Sequence, residues 1–259
     1  MGKIDCNCLV GHWPFRMLRE SGIDAIKAKH KETGISYGLA ANMNSIFYND
    51  PLEGEAELAA TLKGTDYLHV MTVNPMLPSF EEDIQIAIDK YNICAVRIYP
   101  GYHQYRLDNN EHVERLCTIL QGKGIPLFIS VRLEDERLNY IFKPLTPEEF
   151  GLYEFLKQEP LCKVLLLTIR LNELLNHQEE ILSSKKIWHD TSGLKDKPFG
   201  LELLCSKMGT SKLIYGSQYP LFSLRATLYL VERSKLEESA INNILWNNAQ
   251  NLLRRSGTL

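Results

Sequence analysis

Six residues of this chain are of types that could bind and transform a small anion. Arg97 lies in AVRIYP, Arg132 in SVRLEDER, Arg16 at the end of WPFR, His12 in GHWPFR, His103 in PGYHQYRLD and Asp190 in WHDTSG. A guanidinium is a planar fork that holds two oxygens at once, so converging arginines suit a carboxylate or phosphate. Histidine moves protons near neutral pH, and Asp190 could serve as general base or as an anchor for Arg97. Each has a plainer reading beside it. Arg97 sits between apolar neighbours and needs a partner in any case, with Glu134, Asp135 and Asp190 as the acids to neutralise it. Asp190 and Ser192 suit the start of a helix as well as they suit catalysis. His103, with Tyr105 in the same PGYHQYRLD stretch, suits a tyrosine-rich loop packed over a rim.

These side chains have to be carried by elements, and the apolar pattern supplies them. β-branched runs recur at 3–11, 35–42, 66–75, 94–101, 125–131, 163–169, 186–192 and 212–220. Several are apolar throughout, as in strands buried on both faces of a parallel sheet. Segments of helical period alternate with them, at 80–91, 111–120, 171–182 and 235–255, the last ending in basic residues that suit the helix dipole. Eight strand–helix units without a linker predict a single α/β domain over 1–259, a (β/α)8 TIM-like barrel. A doubly wound sheet would carry a glycine-rich phosphate turn after its first strand, and LVGHWPFR is not one.

In such a barrel, function collects at the C-terminal strand ends. Catalytic candidates there are Asp190, His103 and Arg97. Substrate-binding candidates are Asn7, His12, Arg16, Tyr99, Ser130, Arg132, Thr168 and Gln218. Cys6 and Cys8 alternate with Asn7 and are expected on the outer face as structural thiols if Asn7 points inward. His30, His112 and His177 fall in helical stretches and are expected at the surface. His69 reads as a satisfied core histidine.

Bulk composition narrows the partners. The chain has 259 residues, 44% hydrophobic and 24% charged, with net charge −3 and pI near 6.2. Nothing in that balance favours nucleic acid or an anionic membrane. The start, MGKIDCN, has no apolar run for a signal peptide or membrane span, and six cysteines without a spacing pattern suit reduced thiols, so a cytoplasmic protein is expected. A homo-oligomer would follow if the C-terminal helix left an apolar face exposed.

The strand ends resemble those of the amidohydrolase superfamily, in its amidohydrolase-2 (amidohydrolase-related) branch. IDCNCLVG resembles the family's ID-x-H-x-H-x-G start, and AVRIYPGYHQY its fourth-strand segment. KIWHDTSG is similar to its D-T-S-G seventh strand, KLIYGSQYPL to its G-S-D-Y-P eighth, and ILWNNAQNLL to its terminal helix. The resemblance implies a metal-dependent hydrolase fold with zinc or another divalent ion. Its ligands would be two histidines on strand 1, one each on strands 5 and 6, and an aspartate on strand 8. Here those positions read Asn7 and Leu9, Ser130, Thr168, and Gln218. Leu9 cannot ligate, and neutral amides and hydroxyls are poor zinc ligands. Gln218 also cannot take the proton that the family's aspartate takes from a metal-bound water. The expectation is no metal cofactor.

Three readings follow. One is a hydrolase-like enzyme acting on a small anionic substrate without a metal, Arg97, Arg132, His12 and His103 polarising it and Asp190 or a histidine moving the proton. Another is a catalytically inactive barrel that binds a small anion or a partner subunit. The last is a metal site rebuilt from His12, His103 and Asp190, which needs three separate loops to converge.

Overall fold

The computed structural model describes residues 2–134, 138 and 142–254. Asp135, one of the acids considered for Arg97, lies outside them. Eight parallel strands, β1 (Ile4–Val10), β2 (Tyr37–Asn42), β3 (Leu68–Thr72), β4 (Ala95–Ile98), β5 (Leu127–Ser130), β6 (Val164–Leu167), β7 (Ile187–Asp190) and β8 (Leu213–Ile214), pair in sequence order. Backbone bonds from Cys6 N to Tyr215 O (3.0 Å) and from Leu9 N to Tyr219 O (2.9 Å) tie the β8 segment back to β1. The fold is the (β/α)8 barrel that the strand spacing predicts.

Strand alternation sorts the core into two shells. Ile4, Leu39, Val70, Ala95, Phe128, Leu165 and Ile214 fill the interior. Cys8, Ala40, Met71, Val96, Leu127, Leu166 and Leu213 pack outward against the helices. Deleting one such buried side chain to alanine costs roughly 2–5 kcal/mol.

In β1 the alternation slips. Asp5 pairs with Gly38 and Cys8 with Ala40, so β1 advances three residues while β2 advances two. This β-bulge turns Cys6 into the interior shell, where an unbroken alternation would have put it outside with Cys8. The expectation for Cys8 holds and that for Cys6 does not. Asp5 pins the bulge. Its Oδ1 accepts from Asn7 N (3.0 Å) and Ser217 N (2.9 Å), and its Oδ2 accepts from Ser217 Oγ. Cys8 Sγ lies over Gly38, where a Cβ would come within 2.6 Å of it, so only glycine fits opposite the bulge.

The helices follow their apolar periods. Helix α1 (Ile23–Thr33) buries Ile23, Ile26 and His30, and ends at Gly34 in the left-handed region. His30 is therefore on the core face rather than at the surface. Its Nδ1 meets Tyr67 Oη at 2.7 Å, and its Nε2 lies 3.3 Å from Asp5 Oδ2. Helix α2 (Pro51–Leu62) starts on an Asp50 cap and brings the buried Glu55 within 2.6 Å of His69 Nε2; His69 is in the core as expected, but its Nδ1 is left without a hydrogen-bond partner. Helix α3 (Phe80–Tyr91) buries Phe80, Ile84 and Ala87. His112 is exposed as expected, and His177 is half-buried against Tyr153.

The helix expected over 171–182 breaks at His177 into Leu171–Asn176 and Gln178–Ser183. The C-terminal one carries a π turn over Asn243–Asn247. Its apolar side chains Ile244, Leu245, Ala249 and Leu252 are buried in this chain's own core. No helix among the described residues is long and apolar enough to cross a membrane.

Candidate functional site

Six of the sequence-selected residues come together at the C-terminal strand ends, joined by one hydrogen-bond network. Arg97 on β4 donates from Nε to Ser130 Oγ on β5 (2.7 Å) and from Nη1 to Asn7 Oδ1 on β1 (3.0 Å). Asn7 Nδ2 donates in turn to Asp190 Oδ2 on β7 (2.8 Å) and reaches Thr168 Oγ1 after β6 (3.4 Å). Thr168 Oγ1 donates to Gln218 Oε1 (3.2 Å). The Asn7 amide thus has one orientation that works, its oxygen toward the guanidinium and its NH2 toward the carboxylate.

The strand frame explains the convergence. Ser130 and Asp190 are the last residues of β5 and β7, Thr168 is the first after β6, and Arg97 is the last but one of β4. Thr168 (φ 61°) and Gln218 (φ 58°) both sit in the left-handed region, uncommon for non-glycine residues and a strain that surrounding bonds must hold. For Gln218 those bonds are its N–H to Asn7 O (2.7 Å) and its Nε2 to Leu133 O (3.1 Å). For Thr168 the bond is from its N–H to Asp190 Oδ1 (2.8 Å).

Asp190 is fully buried and its carboxylate is saturated. Besides Thr168 N and Asn7 Nδ2, it accepts from Ser192 Oγ (2.8 Å to Oδ2) and Ser192 N (3.3 Å to Oδ1). Burial pushes its pKa up to about 6, against the pull of the Thr168 N–H, Asn7, Ser192 and Arg97. Arg97, itself 1% exposed, has its guanidinium 5.1 Å from the centre of the Tyr99 ring, a cation–π contact. Its Nη2 has no hydrogen-bond partner. Tyr99 is buried inside the barrel, and burial raises its pKa.

Two glycines allow this packing. A Cβ at Gly216 would lie 2.4 Å from Asp190 Oδ2, and one at Gly193 would lie 1.9 Å from Ile169 O. The G of KLIYG and the G of DTSG are therefore close-approach positions.

The remaining candidates stand apart from this centre. Arg132 forms a two-pronged ion pair with Glu173 (2.8 and 2.7 Å) and donates to Thr168 O (3.2 Å). Arg16 bonds Glu134 and Leu221 O, and Trp13 Nε1 bonds the same Glu134 at 2.8 Å. His12 is exposed, held only through its backbone N–H to Asn44. His103 Nε2 meets Ile46 O at 3.0 Å, its ring packs against Tyr99 and Tyr105, and burial lowers its pKa. His103 and Tyr105 thus pack into the rim. Among the described residues no three His, Cys, Asp or Glu side chains are grouped to hold a metal, so His12, His103 and Asp190 do not make a rebuilt site.

Sequence reasoning missed the partners that close the mouth. Ser192 was legible only as a helix cap, yet its hydroxyl bonds Asp190 and Thr168. Glu173, which neutralises Arg132, lies on a later helix with no motif to mark it, and Glu134, considered for Arg97, pairs with Arg16 instead. Trp13, Leu133 and Leu221 belong to the interior apolar cluster, and Leu133 O accepts from Gln218 Nε2. A slot of about 10 Å³ between Arg132, Thr168, Gly193 and Phe222 has room for one water. Beside the centre lies a cavity of about 400 Å³, with Ser130 and Arg132 on one side and Tyr102, Phe142 and Lys143 on the other.

No protein-family model matches the sequence, and no curated protein matches it. Solved structures do. An uncharacterised TIM-barrel protein from Bordetella bronchiseptica superposes with a TM-score of 0.78 at 15% identity, over 100% of both chains. A 2,6-dihydroxybenzoate decarboxylase from Rhizobium gives 0.74 at 12% identity, over 97% of this chain and 98% of that one. A dihydroxybenzoic acid decarboxylase from Polaromonas, with bound manganese and the inhibitor 2-nitroresorcinol, gives 0.73 at 13%, over 97% and 96%. At such identity the likeness establishes the fold.

Proposed function

We propose that this chain is an amidohydrolase-superfamily barrel that binds a small organic anion without the divalent metal of that fold. Its polar centre then serves as scaffold for the mouth rather than as hydrolytic machinery. The observation that carries this reading is the closed network. Asn7, Ser130, Thr168 and Gln218, at four of the family's ligand positions, are bonded to one another or to Arg97, and the nearest carboxylate, Asp190, has all its acceptor capacity taken.

The donor set does not fit a divalent ion. Leu9 offers no donor and lies in the apolar interior. The oxygens of Asn7 and Ser130 already accept from a guanidinium, and that of Gln218 accepts from Thr168. A cation entering here would meet a resident positive charge and neutral ligands.

The 400 Å³ cavity is the ligand site in this reading. It is within the range of small-molecule pockets, with Ser130, Arg132, Glu134, Lys143 and Thr146 among its polar points, the Glu134 carboxylate being met by Arg16 and Trp13. Aromatic walls from Tyr102 and Phe142 suit a flat ring, and a lysine suits its acid group. Two structural neighbours are decarboxylases of dihydroxybenzoic acids, which supports an aromatic acid as the class to try first.

Calorimetric titration with benzoate and 2,6-dihydroxybenzoate tests this. Saturable binding is expected, weakened about tenfold by Lys143→Ala through loss of one charge-assisted contact. No saturable binding of either acid, or binding indifferent to Lys143→Ala and Phe142→Ala, counts against it. A second reading, metal-free turnover, is favoured by one observation, the Asp190 pKa near 6. It requires turnover of an ester or lactone, abolished by Asp190→Asn, and an opening of Trp13 and Leu133 that exposes the carboxylate.

A further inference from the structure

We propose that Arg97 is the resident cation of this barrel. Its guanidinium takes the place of a bound metal charge at the strand ends, coupled to Asp190 through the Asn7 amide.

A lone carboxylate buried as completely as Asp190 is costly, and so is a lone buried guanidinium. Asp190 and Arg97 do not touch. Between them the Asn7 side chain accepts from Arg97 Nη1 at 3.0 Å and donates to Asp190 Oδ2 at 2.8 Å. An amide polarised in this way carries each charge toward the other, and hydrogen bonds in such a chain strengthen one another in a low dielectric. Arg97 also ties three strands: it is part of β4, binds β1 through Asn7 and binds β5 through Ser130. Asp190 ties the other side, to β1 and to Thr168 beyond β6. Cross-strand clamping and charge neutralisation are what a metal supplies when several strands donate its ligands. Here a covalently attached monocation supplies both. Only the comparison with a metal rests on the superfamily reading; the coupling of Arg97 to Asp190 stands without it.

A thermal-melting cycle on the full chain tests the coupling. Arg97→Met leaves the Asp190 charge alone and is expected to lower Tm by about 10 °C. Asp190→Asn alone is also costly, because Arg97 fixes the Asn7 amide with its NH2 toward position 190 and the new amide offers an NH2 in return. In the double variant nothing fixes Asn7, its amide can flip, and at least half of the Tm lost in Arg97→Met is recovered. Losses that simply add in the double variant overturn the proposal.

Should Arg97→Met not fold, a second pair decides. Arg97→Lys keeps the charge and is expected to melt above Arg97→Gln, which keeps a donor without the charge. The reverse order overturns the proposal as well. Neither result depends on ligand binding in the 400 Å³ cavity. Failure of the titrations would remove the functional reading, and failure of the cycle would remove this one.

Discussion

At the centre of the barrel mouth, Arg97 gives its nitrogens to neutral oxygens, those of Asn7 and Ser130. At the rim, Arg132 meets the carboxylate of Glu173 and Arg16 that of Glu134. The same side chain is used in two ways because different elements hold it. Asn7, Arg97, Ser130 and Asp190 sit on strands, Thr168 directly after one, and Gln218 is tied by its N–H to Asn7 O on β1, so backbone register decides who meets whom. Rim residues sit in loops and on helices, where a charge finds whichever opposite charge the loop brings near. A rim pair is held mainly by its own two opposite charges with a few added bonds, whereas a central residue has partners on several strands. Losses at the centre therefore spread, and losses at the rim stay local.

The largest expected effect follows from that difference. Asp190→Ala strands the Thr168 N–H, the Asn7 NH2 and the Ser192 hydroxyl at once. Urea unfolding is expected to show a loss of about 5 kcal/mol, since each buried donor left unmade costs about 1–3. A loss near 1 kcal/mol would mean that water enters the centre freely and that the network is not closed.

Next comes pH dependence, where two buried groups pull in opposite directions. Asp190 holds its proton up to about pH 6 when folded, against about 4 when unfolded. The folded chain binds the extra proton in that window, so this contribution is present below about pH 4 and lost as pH rises through 6. His189, on the outer face of β7, is pushed by burial down to about 3 and stays neutral in the folded chain. Its contribution is present above about pH 6.5 and is lost as pH falls toward 3. Asp190→Asn removes the first contribution and leaves the second. Between pH 7 and 4 that variant is expected to lose about 3 kcal/mol more than the parent on acidification. Parallel curves would show that Asp190 titrates normally.

The rim gives the smallest effect. Arg132→Met alone leaves Glu173 buried without its partner and is expected to cost about 3 kcal/mol. Adding Glu173→Leu should return most of that, because an ion pair replaced whole by apolar groups is often close to neutral. If the double variant stays as unstable as the single one, Arg132 acts on the centre through its bond to Thr168 O, and centre and rim are one unit.

The same contrast accounts for what the sequence made legible. All eight strands lie within the runs read from it, and Asn7, Arg97, Ser130, Thr168, Asp190 and Gln218 converge because strand ends in a barrel must. The bulge at Cys6 was hidden, since one extra residue in β1 leaves the apolar run looking continuous. The burial of His30 follows from its i, i+7 relation to Ile23, a face whose polar member is paid for by Tyr67 and Asp5. The partners of Arg16 and Arg132, Glu134 in a loop and Glu173 on a helix, are long-range contacts that no local pattern encodes. His12 and His103 lie shortly beyond the ends of β1 and β4 in the sequence, yet one faces solvent and the other bonds a neighbouring loop.

The central claim is that this mouth is organised by its own hydrogen bonds and a built-in cation. The most direct measurement is elemental analysis of the purified protein after incubation with zinc and with manganese, followed by desalting. The account predicts well under one equivalent of either metal, and a Tm that neither metal moves. About one equivalent retained per chain, with a raised Tm, would contradict it, because the oxygens of Asn7, Ser130 and Gln218 would then have to leave the partners they hold here.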